Sequence, residues 1–108
     1  MSADAFAALD VRVGRIIRAE LNAKARKPAY KLWIDFGPLG ERRSSAQLTD
    51  LYDAGELAGR LVLAALNLGS RSIAGFESEV LVLGVPDAEG HVVLITPDSD
   101  VPLGGRMY

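Results

Sequence analysis

Basic side chains are the groups in this sequence best suited to chemistry with an anionic partner. The first 43 residues carry nine basic and five acidic side chains, a formal charge of +4. The remaining residues carry three basic and nine acidic ones, a formal charge of −6. Lysine and arginine contact phosphate groups when they lie on one surface. The asymmetry therefore indicates either a surface that faces a polyanion or an ordinary solvated charged face.

The residue types that catalysis needs are scarce. His91 is the only histidine, and nothing in its sequence context supplies a nucleophile for it to activate, so we interpret it as a surface residue. Asp98 and Asp100 lie between Pro97 and Pro102, a pattern more typical of turns than of an acid–base pair. There is no cysteine, phosphate loop, dinucleotide-binding glycine pattern or histidine pair at metal-ligand spacing. The sequence therefore predicts a protein that is not an enzyme and has no metal and no cofactor.

The length of 108 residues fits one compact domain, spanning 1–108, with one core. Apolar residues make up 49% of the chain and charged residues 24%, which is typical of a globular protein and not of a disordered one. There is no apolar run of about 18 residues, and the first ten residues lack the basic start and apolar stretch of a secretory signal. We expect a cytoplasmic protein without membrane insertion.

Turn signals recur about every ten residues, which predicts an all-β fold. Residues 2–9 read as a short helix that covers the barrel, with Ser2 as its N-cap. Apolar residues at odd positions from Asp10 to Leu21 predict a long first strand, in which Gly14 marks a bulge or bend. From Tyr30 to Phe36, alternate large apolar residues face inward and leave Trp33 on the opposite face.

A polar third strand is predicted from Arg42 to Leu48, after a hairpin loop that begins at Gly37. A short helix should follow, capped at Thr49 or Asp50. The later segments 61–66, 80–83 and 92–95 are continuous apolar runs, and such strands need cover on both faces. Either the chain's own ends or a second subunit must supply that cover.

Several strings in a fixed order are specific enough to indicate a family, and the similarity extends from Phe6 to the end of the chain. They are DVRVG at 10–14, KLWIDFG at 31–37, SSAQLT at 44–49, Asn67, RSIAGFESEVLVLG at 71–84 and VPLG at 101–104. The chain resembles the CsaA group of tRNA-binding-domain proteins. The SSAQLT string favours this group over the related domains attached to aminoacyl-tRNA synthetases.

The resemblance implies a five-stranded oligonucleotide-binding (OB) barrel with short helices and terminal extensions, forming a homodimer. It also implies tRNA binding, as in the wider family, and a chaperone role linked to protein export, as proposed for the CsaA group. Two functions therefore stay open. One is binding of tRNA through a basic face, and the other is binding of unfolded or export-bound polypeptides in an apolar groove near the dimer seam.

Ligands of OB barrels lie across strands two and three and the adjoining loops. The resemblance therefore implies a tRNA-binding set of charged and polar residues on those strands and in the family's later motif. These residues are Lys31, Arg42, Arg43, Ser44, Gln47, Asn67, Arg71, Ser78 and Glu79.

Four residues of these motifs call for a separate interpretation, and two of them have more than one. Trp33 is either a platform on which a base stacks or an anchor in a dimer interface. Glu79 repels phosphate, so it either holds Arg71 or backbone amides in place or accepts hydrogen bonds from ribose or base donors. Gly75 is expected to supply an unusual backbone angle, and Phe76 to plug the barrel.

Overall fold

The computed structural model describes residues 3–108, which form a curled five-stranded antiparallel sheet with two small two-stranded sheets beside it. The elements are α1 (Ala3–Ala8), β1 (Val11–Leu21), β2 (Tyr30–Asp35), β3 (Glu41–Ala46), α2 (Ala54–Leu57), β4 (Leu61–Ala65), β5 (Arg71–Ile73), β6 (Phe76–Ser78), β7 (Leu81–Val82), β8 (Gly84–Pro86) and β9 (Val92–Leu94). The strand order in the large sheet is β3-β2-β1-β4-β7, and it makes the nearly closed barrel that the resemblance implies.

β2 supplies the centre of the core, as its alternation predicts. Tyr30, Leu32, Ile34 and Phe36 are all buried, and the last three are fully excluded from solvent. Burying each such side chain contributes about 1.5–3 kcal/mol, so this segment makes a large contribution to the hydrophobic stabilisation of the core. The chain then turns through a 3₁₀ helix at Gly37–Leu39 into β3. Trp33, at the intervening position, lies on the outer face.

β1 departs from strict alternation because of a bulge near its middle. Ile16 pairs with Ile34 but Arg18 pairs with Trp33, so Ile17 is the extra residue. Ile16 is therefore buried while Ile17 is 47% exposed, contrary to the odd-position pattern expected for the core. Of the bulge or bend expected at Gly14, the bulge therefore lies three residues further on. Gly14 has a different role, which is to allow the close approach of Ile34 and Phe36 across the barrel.

The short helices differ from their predictions. α2 begins at Ala54 and is capped by Asp53 instead of Thr49 or Asp50, and the Asp53 N–H donates to the Glu56 carboxylate at 2.8 Å. α1 forms, but none of its residues is buried and Phe6 is 46% exposed, so it does not cover the core. The predicted cap Ser2 lies outside the described residues.

The C-terminal segment returns to the first half of β1. Gly104 donates its N–H to the Val13 carbonyl at 2.8 Å, Val13 donates to the Gly105 carbonyl at 3.0 Å, and Met107 donates to the Val11 carbonyl at 2.9 Å. These bonds continue the sheet beside the part of β1 that β2 does not reach. The C-terminal segment therefore extends the sheet along the edge of β1.

Candidate nucleic-acid interface

The outer face of β1, β2 and β3 carries an aromatic pair surrounded by cations, which we call the Trp33 face. The Trp33 and Phe76 rings meet edge to face, with centroids 5.4 Å apart and an interplanar angle of 71°. The Arg18 guanidinium lies over the Trp33 ring, 4.4 Å from its centroid. Lys31 Nζ lies 5.9 Å from the Phe76 centroid, and Arg43 Cζ lies 5.6 Å from it. The result is an aromatic pair with a cationic group close to each ring.

Strand register brings these residues together. Trp33 pairs with Arg18 on β1 and with Arg43 on β3, so the three side chains share one face of the sheet. The bulge at Ile17 is what turns Arg18 toward Trp33. Lys31 lies two residues before Trp33 on β2 and therefore on the same face. The sequence alone does not indicate that Arg18 lies beside Trp33, because its direction depends on the bulge.

The fifth member, Phe76, comes from the β5–β6 hairpin, which packs across β3. Its two-residue turn places both Ala74 (φ 48°) and Gly75 (φ 82°) in the left-handed region, so the predicted unusual angle at Gly75 is confirmed. Phe76 is buried, but against Trp33 and the charged groups of Lys31 and Arg43 instead of inside the barrel. The prediction that it plugs the barrel is therefore wrong, and it serves the outer face.

Two carboxylates reduce the positive charge of the Trp33 face. Glu20 forms an ion pair with Arg18 and lies 3.9 Å from Lys31 Nζ. Glu79 accepts hydrogen bonds from the backbone N–H of Arg43 at 3.0 Å and from its guanidinium Nε at 3.3 Å. Glu79 thus holds a backbone amide, as one of its interpretations expected, and its cationic partner is Arg43 rather than Arg71.

A basic loop, residues 22–29, lies beside the Trp33 face. Its first residue, Asn22, is buried, donates from Nδ2 to the Ile73 carbonyl at 3.3 Å and accepts from the Lys24 N–H at 3.1 Å. This side chain fixes the loop against the β5–β6 hairpin. Lys24, Arg26 and Lys27 are exposed along the loop, at the rim of a groove of about 1350 Å³.

The groove separates the basic loop from the far end of the sheet. Arg71 and Gln47, both predicted to bind tRNA, are exposed at its edge. Its wall includes apolar residues of β7 and β9 and the exposed Leu68. The arrangement offers cations and an amide at the rim and an apolar interior.

The remaining predicted site residues lie elsewhere or inside the fold. Arg42 pairs with inward-facing Ile34, so it leaves β3 on the side opposite Arg43 and its guanidinium donates to the Leu39 carbonyl at 3.5 Å. Ser44 is fully buried. Asn67 is distant from the Trp33 face. It accepts from the Asp10 N–H at 2.9 Å and donates to the Ala8 carbonyl at 2.7 Å, which ties α1 to the sheet.

Ser78 takes part in closing the barrel. Its hydroxyl accepts from the Ser45 N–H at 2.9 Å and donates to the Val80 carbonyl at 3.3 Å. Together with the backbone bond from the Glu79 N–H to the Arg43 carbonyl, it joins β3 to the segment before β7. The structure thus brings Lys31, Arg43 and Glu79 together and places Ser78 just behind them.

Sequence analysis did not include Arg18, Lys24, Arg26 and Lys27 in the site. The three loop cations form a cluster beside Pro28 in the sequence, and the position of this cluster just before strand two was the available signal. Arg18 carried no such signal, because its direction depends on the bulge.

His91 lies at the turn between β8 and β9, beside carboxylates. Its backbone N–H donates to Asp87 Oδ1 at 2.9 Å, and this bond is the main cause that lowers the pKa of Asp87. Within residues 3–108 no group of three or more His, Cys, Asp or Glu side chains has a metal-binding arrangement. No helix in that same range is long and apolar enough to cross a membrane.

Comparison with known proteins places the chain in a class. Residues 11–106 match the family described as "Putative tRNA binding domain", so the chain belongs to this family of tRNA-binding domains. The predicted resemblance to the CsaA group within it is confirmed by solved structures.

Two of those structures match the whole chain. The chaperone CsaA of Bacillus anthracis is 44% identical with a TM-score of 0.92, covering 100% of this chain and 98% of its own. The CsaA chaperone protein of Picrophilus torridus is 41% identical with a TM-score of 0.92, covering 100% of this chain and 99% of its own.

The methionine–tRNA ligase of Flavobacterium johnsoniae is 34% identical over 102 residues, which cover 94% of this chain but 14% of the ligase.

Proposed function

We propose that this protein binds tRNA, without catalysing a reaction on it, through the Trp33 face and the adjacent basic loop. The observation that carries the proposal is that three cations, Arg18 on β1, Lys31 on β2 and Arg43 on β3, lie around one aromatic pair. Membership in a tRNA-binding-domain family supports the same ligand. Stacking rings with surrounding cations are the usual elements of single-strand recognition on OB barrels.

The roles within the predicted residue set divide by position. We assign phosphate and sugar contacts to Lys31, Arg43, Arg71 and Gln47, which are accessible, and add the loop cations. We assign Glu79 and Ser78 to positioning, since they hold β3 against the hairpin. Arg42, Ser44 and Asn67 act on the fold rather than the ligand, because they face away from the Trp33 face or are buried.

The test is a titration with tRNA over a range of salt concentrations. Each phosphate neutralised contributes a slope of roughly −0.7 to −0.9 in a plot of log affinity against log salt. Simultaneous Lys24→Ala, Arg26→Ala and Lys27→Ala substitutions should weaken binding and flatten the slope by about two units or more. Arg60→Ala is the matched control, because Arg60 stacks on Tyr52 at 5.0 Å and lies outside the Trp33 face. Equal slopes for the triple variant and the native protein would contradict the proposal.

A second function, polypeptide binding, is favoured by the apolar wall of the 1350 Å³ groove. Two of the solved structures that match the whole chain are named as chaperones. Binding of an unfolded or export-bound segment there should have a negative heat-capacity change and depend little on salt. Isothermal titration with an apolar peptide at several temperatures measures both. Peptide affinity that falls with salt as steeply as tRNA affinity would refute a separate apolar site.

We also propose that the protein is a homodimer in solution. Several large apolar side chains stay exposed, and a symmetric interface would cover them. They are Leu68, Leu81, Val85, Val101 and Tyr108. Sedimentation at micromolar concentration should show a dimer, and replacing Leu81 and Val85 by Ser should favour the monomer. A monomeric native protein would refute this assembly.

A further inference from the structure

We infer that Arg18 and Trp33 form a slot for one unpaired nucleobase, with the Arg18 guanidinium lying at present where the base would stack. This inference rests on the proposed function and specifies its ligand, which is an unpaired nucleotide rather than a base-paired segment. In the structure the guanidinium covers the indole at 4.4 Å from the ring centroid. Planar guanidinium groups and nucleobases both stack on aromatic faces, so one can replace or sandwich the other.

Arg18 is free to swing away from Trp33. Its side chain is 62% exposed, and its ion pair with Glu20 is a surface pair of the kind that contributes little to stability. Glu20 keeps a cationic neighbour after such a movement, because Lys31 Nζ lies 3.9 Å from its other oxygen. Opening the slot therefore leaves no carboxylate without a counter-charge.

The surroundings of the indole fit a nucleotide and not only a base. Phe76 supports Trp33 edge-on from the hairpin side, which fixes the plane of the ring. Lys31 and Arg43 lie beside this pair and offer phosphate contacts on both sides of it. Between the basic loop and the hairpin there is also a cleft of about 280 Å³, lined by Lys24, Lys31 and Phe76, that accommodates the sugar and phosphate of a neighbouring residue.

Nucleotides in base-paired segments are excluded from this slot. A paired base has both faces covered by its neighbours in the helix, whereas a base in a loop or at a single-stranded end can present a face. The indole lies on the outer face of β1, β2 and β3, and a duplex would have to unstack to reach it. The slot thus selects unpaired positions of the RNA.

Trp33 is the only tryptophan, so its fluorescence reports directly on this slot. The probes are a short single-stranded RNA of mixed sequence and the same strand annealed to its complement, both at low ionic strength. The single strand should quench tryptophan emission in a saturable manner, whereas the duplex should bind, if at all, without that quenching. Quenching that is equal for the two probes would overturn the inference.

Matched variants separate stacking from charge. Trp33→Leu should lower single-strand affinity by about five- to 150-fold, the loss expected when one base no longer stacks. Trp33→Phe should keep most of the affinity. Arg18→Lys keeps the charge but removes the planar group that covers the indole, so the single strand should bind at least as tightly as to the native protein, with an unchanged salt slope. Arg60→Lys makes the same exchange at the stack on Tyr52 and should have no effect.

Each other outcome has a definite meaning. If no RNA binds at low salt, the proposed function and the slot both fail. If RNA binds with a clear salt slope but emission is unchanged and Trp33→Leu binds as tightly as the native protein, only the slot fails. If Trp33→Leu and Trp33→Phe dissociate a dimer in sedimentation and leave RNA affinity intact, Trp33 is an interface anchor and the inference is overturned.

Discussion

The carboxylate of Glu79 accepts two hydrogen bonds from Arg43, one from the backbone N–H at 3.0 Å and one from guanidinium Nε at 3.3 Å. The Glu79 N–H in turn donates to the Arg43 carbonyl at 2.8 Å. One residue pair therefore both closes the barrel and sets the charge of the Trp33 face. We therefore expect the Glu79 carboxylate to raise the stability of the fold and to lower the affinity for an anionic ligand.

Substitutions of Glu79 should therefore change stability and tRNA affinity in opposite directions. Glu79→Ala removes the acceptor and should lower the free energy of unfolding by about 1–2 kcal/mol. Glu79→Gln keeps an acceptor for the Arg43 N–H but removes the negative charge, so it should cost less stability and raise tRNA affinity several-fold at low salt. Chemical denaturation and tRNA titration measure the two effects. Glu89→Gln, which makes the same charge change at a distant turn, is the control, and weaker binding by Glu79→Gln than by that control would contradict the account.

The hairpin turn at Ala74 stores strain. A non-glycine residue at φ 48° costs about 1–2 kcal/mol, and asparagine tolerates this region better than alanine. Ala74→Asn, which creates the Asn-Gly pair favoured in two-residue hairpins, should raise stability by about 0.5–1 kcal/mol. The midpoint of thermal unfolding should therefore rise. Ala88→Asn, at an exposed alanine without positive φ, is the control and should not raise the midpoint. A lower midpoint for Ala74→Asn would mean that the turn changes its conformation.

Much of the fold could be predicted from the sequence because its core depends on local alternation. The inward residues of β2 follow directly from a period of two. The prediction failed at Ile17, since a bulge is set by the pairing of β1 with two different strands and leaves no local signature. It also failed for Phe76, whose aromatic character predicts burial but not on which side of the sheet.

Gly14 illustrates a tertiary constraint that the sequence could only suggest. A Cβ at this position would lie 2.6 Å from Ile34 Cγ2 and 2.6 Å from Phe36 Cε1, in the middle of the core. Gly14→Ala should therefore destabilise the protein by about 1–3 kcal/mol through overpacking. Gly55→Ala is the control, because nothing lies within 4 Å and the residue is helical, so it should be neutral or slightly stabilising. Denaturant unfolding compares them, and equal stability of both variants would show that the core adapts.

The site was predictable to the extent that it lies on strands with regular alternation. Lys31 and Trp33 share a face because they are two residues apart on β2, and this could be read from the sequence. The separation of Arg42 from Arg43 follows from the same rule, although both were predicted to bind the ligand. Arg18 could not be predicted, because its position beside Trp33 exists only through the strand register.

The central claim, that tRNA binds on the Trp33 face, is tested most directly by comparing the salt dependence of tRNA binding for Arg43→Gln and Arg42→Gln. The two substitutions are adjacent and chemically identical but lie on opposite sides of β3. Arg43→Gln should weaken binding and flatten the slope of log affinity against log salt by roughly 0.7–0.9 units, whereas Arg42→Gln should leave the native slope unchanged. The claim is contradicted if the folded protein shows no salt-dependent tRNA binding, or if Arg43→Gln has the native slope and affinity.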